Sequence, residues 1–343
     1  MKLGKASFRL VELAVMASVV AGCGLAEEAG DEFRNGVPRN ETVKVVVPES
    51  APNQRALTAA DTSSRQHALT VKGQTAELYQ LTRAASGIVN GGAGLTLVLV
   101  KTIVSFPPTT VSLDSATWGP WTGALEPVTW KLTVTRVAPG KYDYVLAGRA
   151  RGDLAGAFVT VLSGSHTPAV DGRGRPVEGF GTGDFTLDWD ARRTLPMPED
   201  DNVGKVTYHY ERPDLNGPVV VNAEFRQVKD KDRPGQLVDL SYRYQSAATG
   251  GGMEFVHTAP MTSGKAGSRL AVKSRWTAAG AGRSDVRATG GDLPAGATAQ
   301  WNECWSGNAT FASTYQFVSW DPSKNYGVEA SDCAFPVAEY SAL

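Results

Sequence analysis

Three cysteines among 343 residues are too few for a disulfide-stapled scaffold, and their odd number leaves one that needs a separate explanation. Charge of either sign is not in excess: 34 Lys and Arg face 35 Asp and Glu, a formal net charge of -1. Proteins that hold polyanions neutralise phosphates with a basic surplus, so nucleic acid is excluded as a partner. Histidine is scarce. His67, His166, His209 and His257 include no pair at i, i+4, and neither Cys304 nor Cys333 has a second thiol or an imidazole at ligand spacing, which argues against a metal site. Ser163-Gly164-Ser165-His166 is not a G-x-S-x-G segment, so a serine hydrolase lacks its nucleophile elbow. Gly172-Arg173-Gly174 and Gly179-Phe180-Gly181-Thr182-Gly183 sit within or between alternating strands, where glycine serves turns and curvature, and not between a strand and a helix as a dinucleotide loop requires. No cofactor is called for.

Against these absences stands an ordinary apolar content of 42%, which excludes global disorder. Lys2, Lys5 and Arg9 form a positive start, with Glu12 an unusual charge behind them, and Leu13 to Gly22 is an apolar stretch of ten residues. A permanent transmembrane helix needs about 20, so this stretch reads as a secretory signal over residues 1–22. Its end, Val20-Ala21-Gly22-Cys23, closely resembles the lipobox of bacterial lipoproteins: an aliphatic residue, two small ones, then the cysteine that is lipidated. The resemblance implies cleavage before Cys23, an acylated N-terminus and a Gram-negative-type envelope location, with the membrane as partner through the lipid. Gly24 in place of Asp implies the outer membrane by the sorting rule of such lipoproteins. Cys304 and Cys333 then remain as an even pair, and in an oxidising compartment a disulfide closing their 29-residue separation would stabilise by about 3.5 kcal/mol in the chain-entropy picture.

Residues 23–66 have the composition of a flexible tether that would hold a domain about 35 Å off the membrane. Val43-Lys44-Val45-Val46-Val47 is the exception, a short edge strand. The folded domain is expected over 67–343. Within 75–106, Leu78, Leu81, Ala85 and Ile88 follow helical spacing, Asn90-Gly91-Gly92-Ala93-Gly94 breaks it, and Leu95 to Phe106 resumes it before Pro107-Pro108, which predicts a helical hairpin. Lys101 interrupts the second half, so no membrane span is expected there. From about Trp118 onward, period-two alternation dominates, as in Trp130/Leu132/Val134, Tyr142/Tyr144/Leu146, Phe185/Leu187/Trp189, Val206/Tyr208/Tyr210 and Val238/Leu240/Tyr242/Tyr244. The fold class is therefore mainly β: a large antiparallel meander, a curved sheet or barrel-like, packed on the helical hairpin. In outline this is similar to the lipoprotein-localisation carriers and related lipid-binding envelope lipoproteins. The Trp118-Gly119-Pro120-Trp121 stretch followed by alternating strands also resembles bacterial lipoproteins without assigned activity.

The chemistry-bearing candidates are few. Trp118 and Trp121 flank an expected turn at Gly119-Pro120 and are candidate ligand-binding residues, since an exposed indole stacks on sugars or sits at lipid interfaces. Asp184, Asp188 and Asp190 share one face of a strand, with Glu199-Asp200-Asp201 beyond; carboxylates can hold a hard cation or, in pairs, act on a glycan, but the spacing follows no calcium-loop pattern and alternate Asp on a wet face is most often solvated polarity. Arg269, Lys273 and Arg275 form a basic ladder that could meet phospholipid heads or peptidoglycan carboxyls. The leading reading is a non-enzymatic, lipid-anchored envelope protein with a binding or structural role. The alternatives are a carrier of a lipid or other amphiphile in a cavity between sheet and helices, and a glycan-acting hydrolase. An integral outer-membrane barrel is disfavoured by the tether and by the non-aromatic ending Ser341-Ala342-Leu343.

Overall fold

The computed structural model describes residues 31–49, 69–124, 126–197, 202–214, 217–229, 235–260 and 267–343. Cys23, the expected signal over residues 1–22, His67 and Glu199-Asp200-Asp201 lie outside these residues. The architecture is one antiparallel sheet whose fourteen strands pair in strict chain order: β1 Thr110–Val111, β2 Ser115–Trp121, β3 Val128–Ala138, β4 Lys141–Ala150, β5 Val159–Val170, β6 Pro176–Asp188, β7 Lys205–Arg212, β8 Val219–Lys229, β9 Leu237–Ala247, β10 Gly250–Pro260, β11 Gly267–Thr277, β12 Gly282–Thr289, β13 Thr298–Trp305 and β14 Ser313–Val318. Among the described residues β1 and β14 do not pair with each other, so the sheet is open.

Strand alternation sorts the side chains as the sequence pattern predicts. One register row runs from Ala116 through Val134, Tyr144, Gly164, Phe185 and Tyr208 and on to Trp301 and Val318. These side chains form one dry face, and the apolar members of the row are buried or packed against the core. Gly164 is small because it must be: a Cβ there would lie 2.2 Å from the Asp184 carbonyl oxygen and 2.7 Å from the Phe185 Cβ.

The dry face is covered by helix, but not by a hairpin. After the short α1 (Asn40–Val43), α2 runs unbroken from Glu77 to Val104 over 28 residues, about 42 Å at 1.5 Å per residue. The glycines expected to break it permit a close approach instead. Gly92 faces the sheet so tightly that a Cβ would lie 2.7 Å from the Tyr208 hydroxyl, and that hydroxyl donates to the Val89 carbonyl at 2.8 Å. Glycine inside a helix costs about 1 kcal/mol relative to alanine, and the buried face of α2 offsets this. The helix is long and apolar enough to cross a membrane, with a mean hydropathy of 1.6 over its most apolar window. Here one of its faces lies against the sheet, crossing the strands in order. The Leu78 amide donates to Glu303 of β13 at 2.7 Å, Thr82 meets Ser274 of β11 at 2.8 Å, and Ser86 meets Tyr242 of β9 at 3.0 Å.

The tether expectation is corrected for residues 31–49. This segment lies along α2 and buries Phe33, Val37, Val43, Val45 and Val47 in the main core. Its low average hydrophobicity hid five well-spaced apolar residues. The expected edge strand at 43–47 does not form: Val43 ends α1, and 44–47 join no sheet. Their peptide groups are satisfied by side chains: Asn90 of α2 accepts from the Val45 amide at 2.9 Å and donates to its carbonyl at 3.0 Å, while the Tyr244 hydroxyl serves both groups of Val46. Two side chains thereby replace a neighbouring strand.

Candidate functional site

Trp118 and Trp121, expected as one aromatic pair, are separated by the fold. The register shifts between them: Trp118 opposes Leu132 and Trp121 opposes Trp130, and past the shift the strand runs out to the sheet's exposed corner. Trp118 is 2% exposed and donates its indole N–H to the Phe106 carbonyl at 2.9 Å, as a core residue. Trp121 is 37% exposed and stacks on Phe106, itself 54% exposed, with ring centroids 6.4 Å apart. The pair that faces outward is therefore Trp121 with Phe106, a partner that the sequence reading had left at the end of a helix.

This aromatic pair sits beside the place where the described chain begins. Arg34 pairs with Asp31 and donates to the carbonyls of Val104 at 2.9 Å and Phe106 at 3.3 Å. Arg136 of β3 pairs with Glu32 at 2.7 Å and donates to the Leu113 carbonyl in the β1–β2 turn. Tyr142 adds a 2.9 Å bond to Glu32; burial, then that carboxylate, pushes its hydroxyl up to about 12. Residues 31–34 are thus pinned against the C-terminal end of α2 and the β1–β2 edge.

The carboxylates of the wet face are engaged locally. Asp184 bonds His209 at 2.8 Å, and Glu211 holds the other ring nitrogen at 3.3 Å. Burial draws the His209 pKa down, but these two carboxylates outweigh it and leave it raised. Asp188 caps α3 (Trp189–Arg192) by accepting from the Ala191 amide at 2.8 Å and pairs with Lys205 at 2.7 Å. Asp190 accepts from the Gly204 amide at 2.9 Å. These three Asp side chains turn and brace the chain rather than converge on a cleft. No group of three or more His, Cys, Asp or Glu among the described residues could hold a metal ion.

The basic ladder is also occupied from within. The C-terminal segment folds back over β10 to β13, tied down by a disulfide between Cys304 and Cys333. Arg269 bonds the Leu343 carbonyl, Lys273 pairs with Glu339 at 2.8 Å, and Arg275 pairs with Glu339 at 2.5 Å and Asp285 at 3.2 Å. Beneath them Arg283 and Asp285, both fully buried, pair at 2.7 Å. Burial raises the Asp285 pKa although the Glu339 amide and both arginines pull the other way.

Two titratable groups, Glu303 and His166, are buried. Glu303 accepts from the Leu78 amide, and the Thr70 hydroxyl accepts from the Glu77 amide at 3.1 Å. Together they cap an α2 N-terminus whose own Ala76 has no capping side chain. Burial pushes the Glu303 carboxyl up to about 7. His166, 3% exposed, meets the Tyr210 hydroxyl at 2.8 Å, and burial lowers it to about 4. A signal was present for Glu303, which alternates with Trp301 and Trp305 on the dry face of its strand.

Aromatic side chains of the sheet and the apolar face of α2 pack together in the main core. The two best-formed cavities among the described residues measure about 30 and 10 Å³, room for a water or two. No protein-family model, curated protein or solved structure matches the chain.

Proposed function

We propose that the chain is a lipid-anchored cell-envelope protein, acylated on Cys23, whose β domain has a non-enzymatic binding or structural role at the outer membrane. The observation that carries this reading is Val20-Ala21-Gly22-Cys23 behind a positive start and a short apolar run. The partition of the cysteines supports it, since Cys304 and Cys333 are bonded to each other and Cys23 is the odd one. A carrier of amphiphiles requires a cavity of several hundred Å³, whereas Tyr, Trp and Phe side chains and α2 fill the trough of this sheet. A hydrolase requires convergent carboxylates in a cleft, and the wet-face Asp residues named above are spent on a cap, a loop and a histidine.

Processing tests the proposal. In a lipoprotein-competent host, globomycin should accumulate the unprocessed chain, the mature protein should carry acyl mass on Cys23, and Cys23→Ser should release it from the membrane fraction. A Cys23→Ser protein that stays membrane-bound refutes the anchor. Native mass spectrometry of the mature protein tests the second half: a stoichiometric co-purified lipid would restore the carrier reading.

A further inference from the structure

We infer that the β1–β2 edge of the sheet, bearing the stacked Phe106–Trp121 pair and Leu113, lies against the phospholipid surface that holds Cys23. The inference rests on the anchor proposed above and adds an orientation to it. Because residues 31–34 are fixed to the domain, only eight Cα-to-Cα steps separate Cys23 from Asp31, at most about 28 Å at 3.3 to 3.6 Å per residue. The domain therefore cannot hang on a forty-residue tether; it is held close, with a defined side towards the bilayer.

That side leaves aromatic and aliphatic groups uncovered, as single aliphatic residues such as Leu154 are elsewhere. Phe106 is 54% exposed, Trp121 37%, Val137 50% and Leu113 86%. Arg34 ties the Phe106 backbone, and Arg136 the Leu113 backbone, to the Asp31–Glu32 dipeptide from which the link to Cys23 departs. The edge is also unsuited to a protein strand. β1 is two residues long, the Gly119 amide is already bonded to Thr109 at 2.9 Å, and Pro107, Pro108 and Pro120 offer no N–H. So short and proline-flanked an edge offers a partner strand little backbone to pair with. Aromatic and aliphatic side chains on it suit the headgroup–acyl boundary.

Bromine quenching tests the orientation on the full, lipidated chain. The protein is reconstituted in vesicles of phosphatidylethanolamine and phosphatidylglycerol, with and without brominated acyl chains, and acylation of Cys23 is verified by mass. Brominated lipid should dim the tryptophan emission, Trp121→Phe should remove more than half of that loss, and Trp320→Phe should remove none of it. Trp320, 49% exposed, follows β14 at the opposite end of the strand order and serves as the control. A Leu113→Cys protein labelled with an environment-sensitive dye gives a second reading, a blue shift on vesicles, should Trp121→Phe fail to fold. A lipidated sample whose quenching is unchanged in Trp121→Phe, or lost in Trp320→Phe, overturns the orientation alone. Burial of the edge between two copies would also leave Trp121 unquenched and overturn it. A mature chain without lipid on Cys23 refutes the anchor, and the docking falls with it.

Discussion

Replacing Glu303 with Gln should tilt the dependence of stability on pH, because two buried groups oppose each other in the native protein. Glu303 is held by burial at about 7 against an ordinary 4.5. Between those values the folded state keeps a proton that the unfolded chain has released, so stability falls as pH rises, by about 3 kcal/mol over the window at 1.36 kcal/mol per pKa unit. His166 is held at about 4 against 6.5. In its window the unfolded chain takes up a proton that the folded state refuses, so stability rises with pH, again by about 3 kcal/mol. Over their shared range the two slopes cancel, so this pair adds almost nothing to the pH dependence of the native protein. Glu303→Gln keeps an acceptor for the Leu78 amide and removes one slope, so its stability should climb by about 3 kcal/mol from pH 4 to 6.5. His166→Asn should show the reverse, a decline between pH 4.5 and 7. Urea midpoints followed by fluorescence, with the disulfide intact and ionic strength constant, provide the assay. The difference between variant and native profiles cancels every other titrating group. A Glu303→Gln profile parallel to the native one would refute a buried, proton-holding carboxyl at the α2 cap.

The helix glycines give substitutions of opposite sign. Gly92→Ala drives a methyl onto the Tyr208 hydroxyl and should cost about 1–3 kcal/mol, whereas Gly91→Ala, with nothing within 4 Å of its Cβ, should gain about 0.5–1 kcal/mol; urea midpoints that move the same way would contradict this packing. Asp285→Asn leaves Arg283 and Arg275 without their buried counter-charge and should cost about 3–5 kcal/mol in the same measurement. Asn90→Leu removes both bonds to Val45; amide exchange at Val45 and Val46 should accelerate while exchange in β3 to β9 stays slow, and unchanged exchange at Val45 would mean that Asn90 does not hold the segment.

The strands were the legible part of this fold. Val206/Tyr208/Tyr210 and Val238/Leu240/Tyr242/Tyr244 alternate because one side of the sheet is dry and the other wet, and that contrast is written in single residues. β5 and β12 were harder to read. β5 carries Ser163-Gly164-Ser165 where Phe185 and Tyr144 take up the space, and β12 buries Arg283 and Asp285, charges that a polarity pattern assigns to solvent. Gly250-Gly251-Gly252 begins β10, where Gly251 leaves room for Trp276, although glycine runs of this kind favour turns.

The site was less legible for a related reason. Cys23 is a local motif, readable from four residues. The outward aromatic pair joins Phe106 to Trp121 across a loop, and the junction at Asp31 to Arg34 depends on Arg136, about a hundred residues away. No local pattern announces contacts of that range.

By itself, then, the sequence determined the β alternation, because that depends on a period of two along the chain, and it predicted the disulfide that Cys304 and Cys333 form. Only the tertiary structure decided that α2 is continuous, that residues 31–49 belong to the core, and that the basic ladder is neutralised by the protein's own C-terminus. In each of these the local preference was reversed by a partner far along the chain: Tyr208 and the sheet under Gly92, Asn90 and Tyr244 for Val45 and Val46, and Glu339 for Lys273 and Arg275.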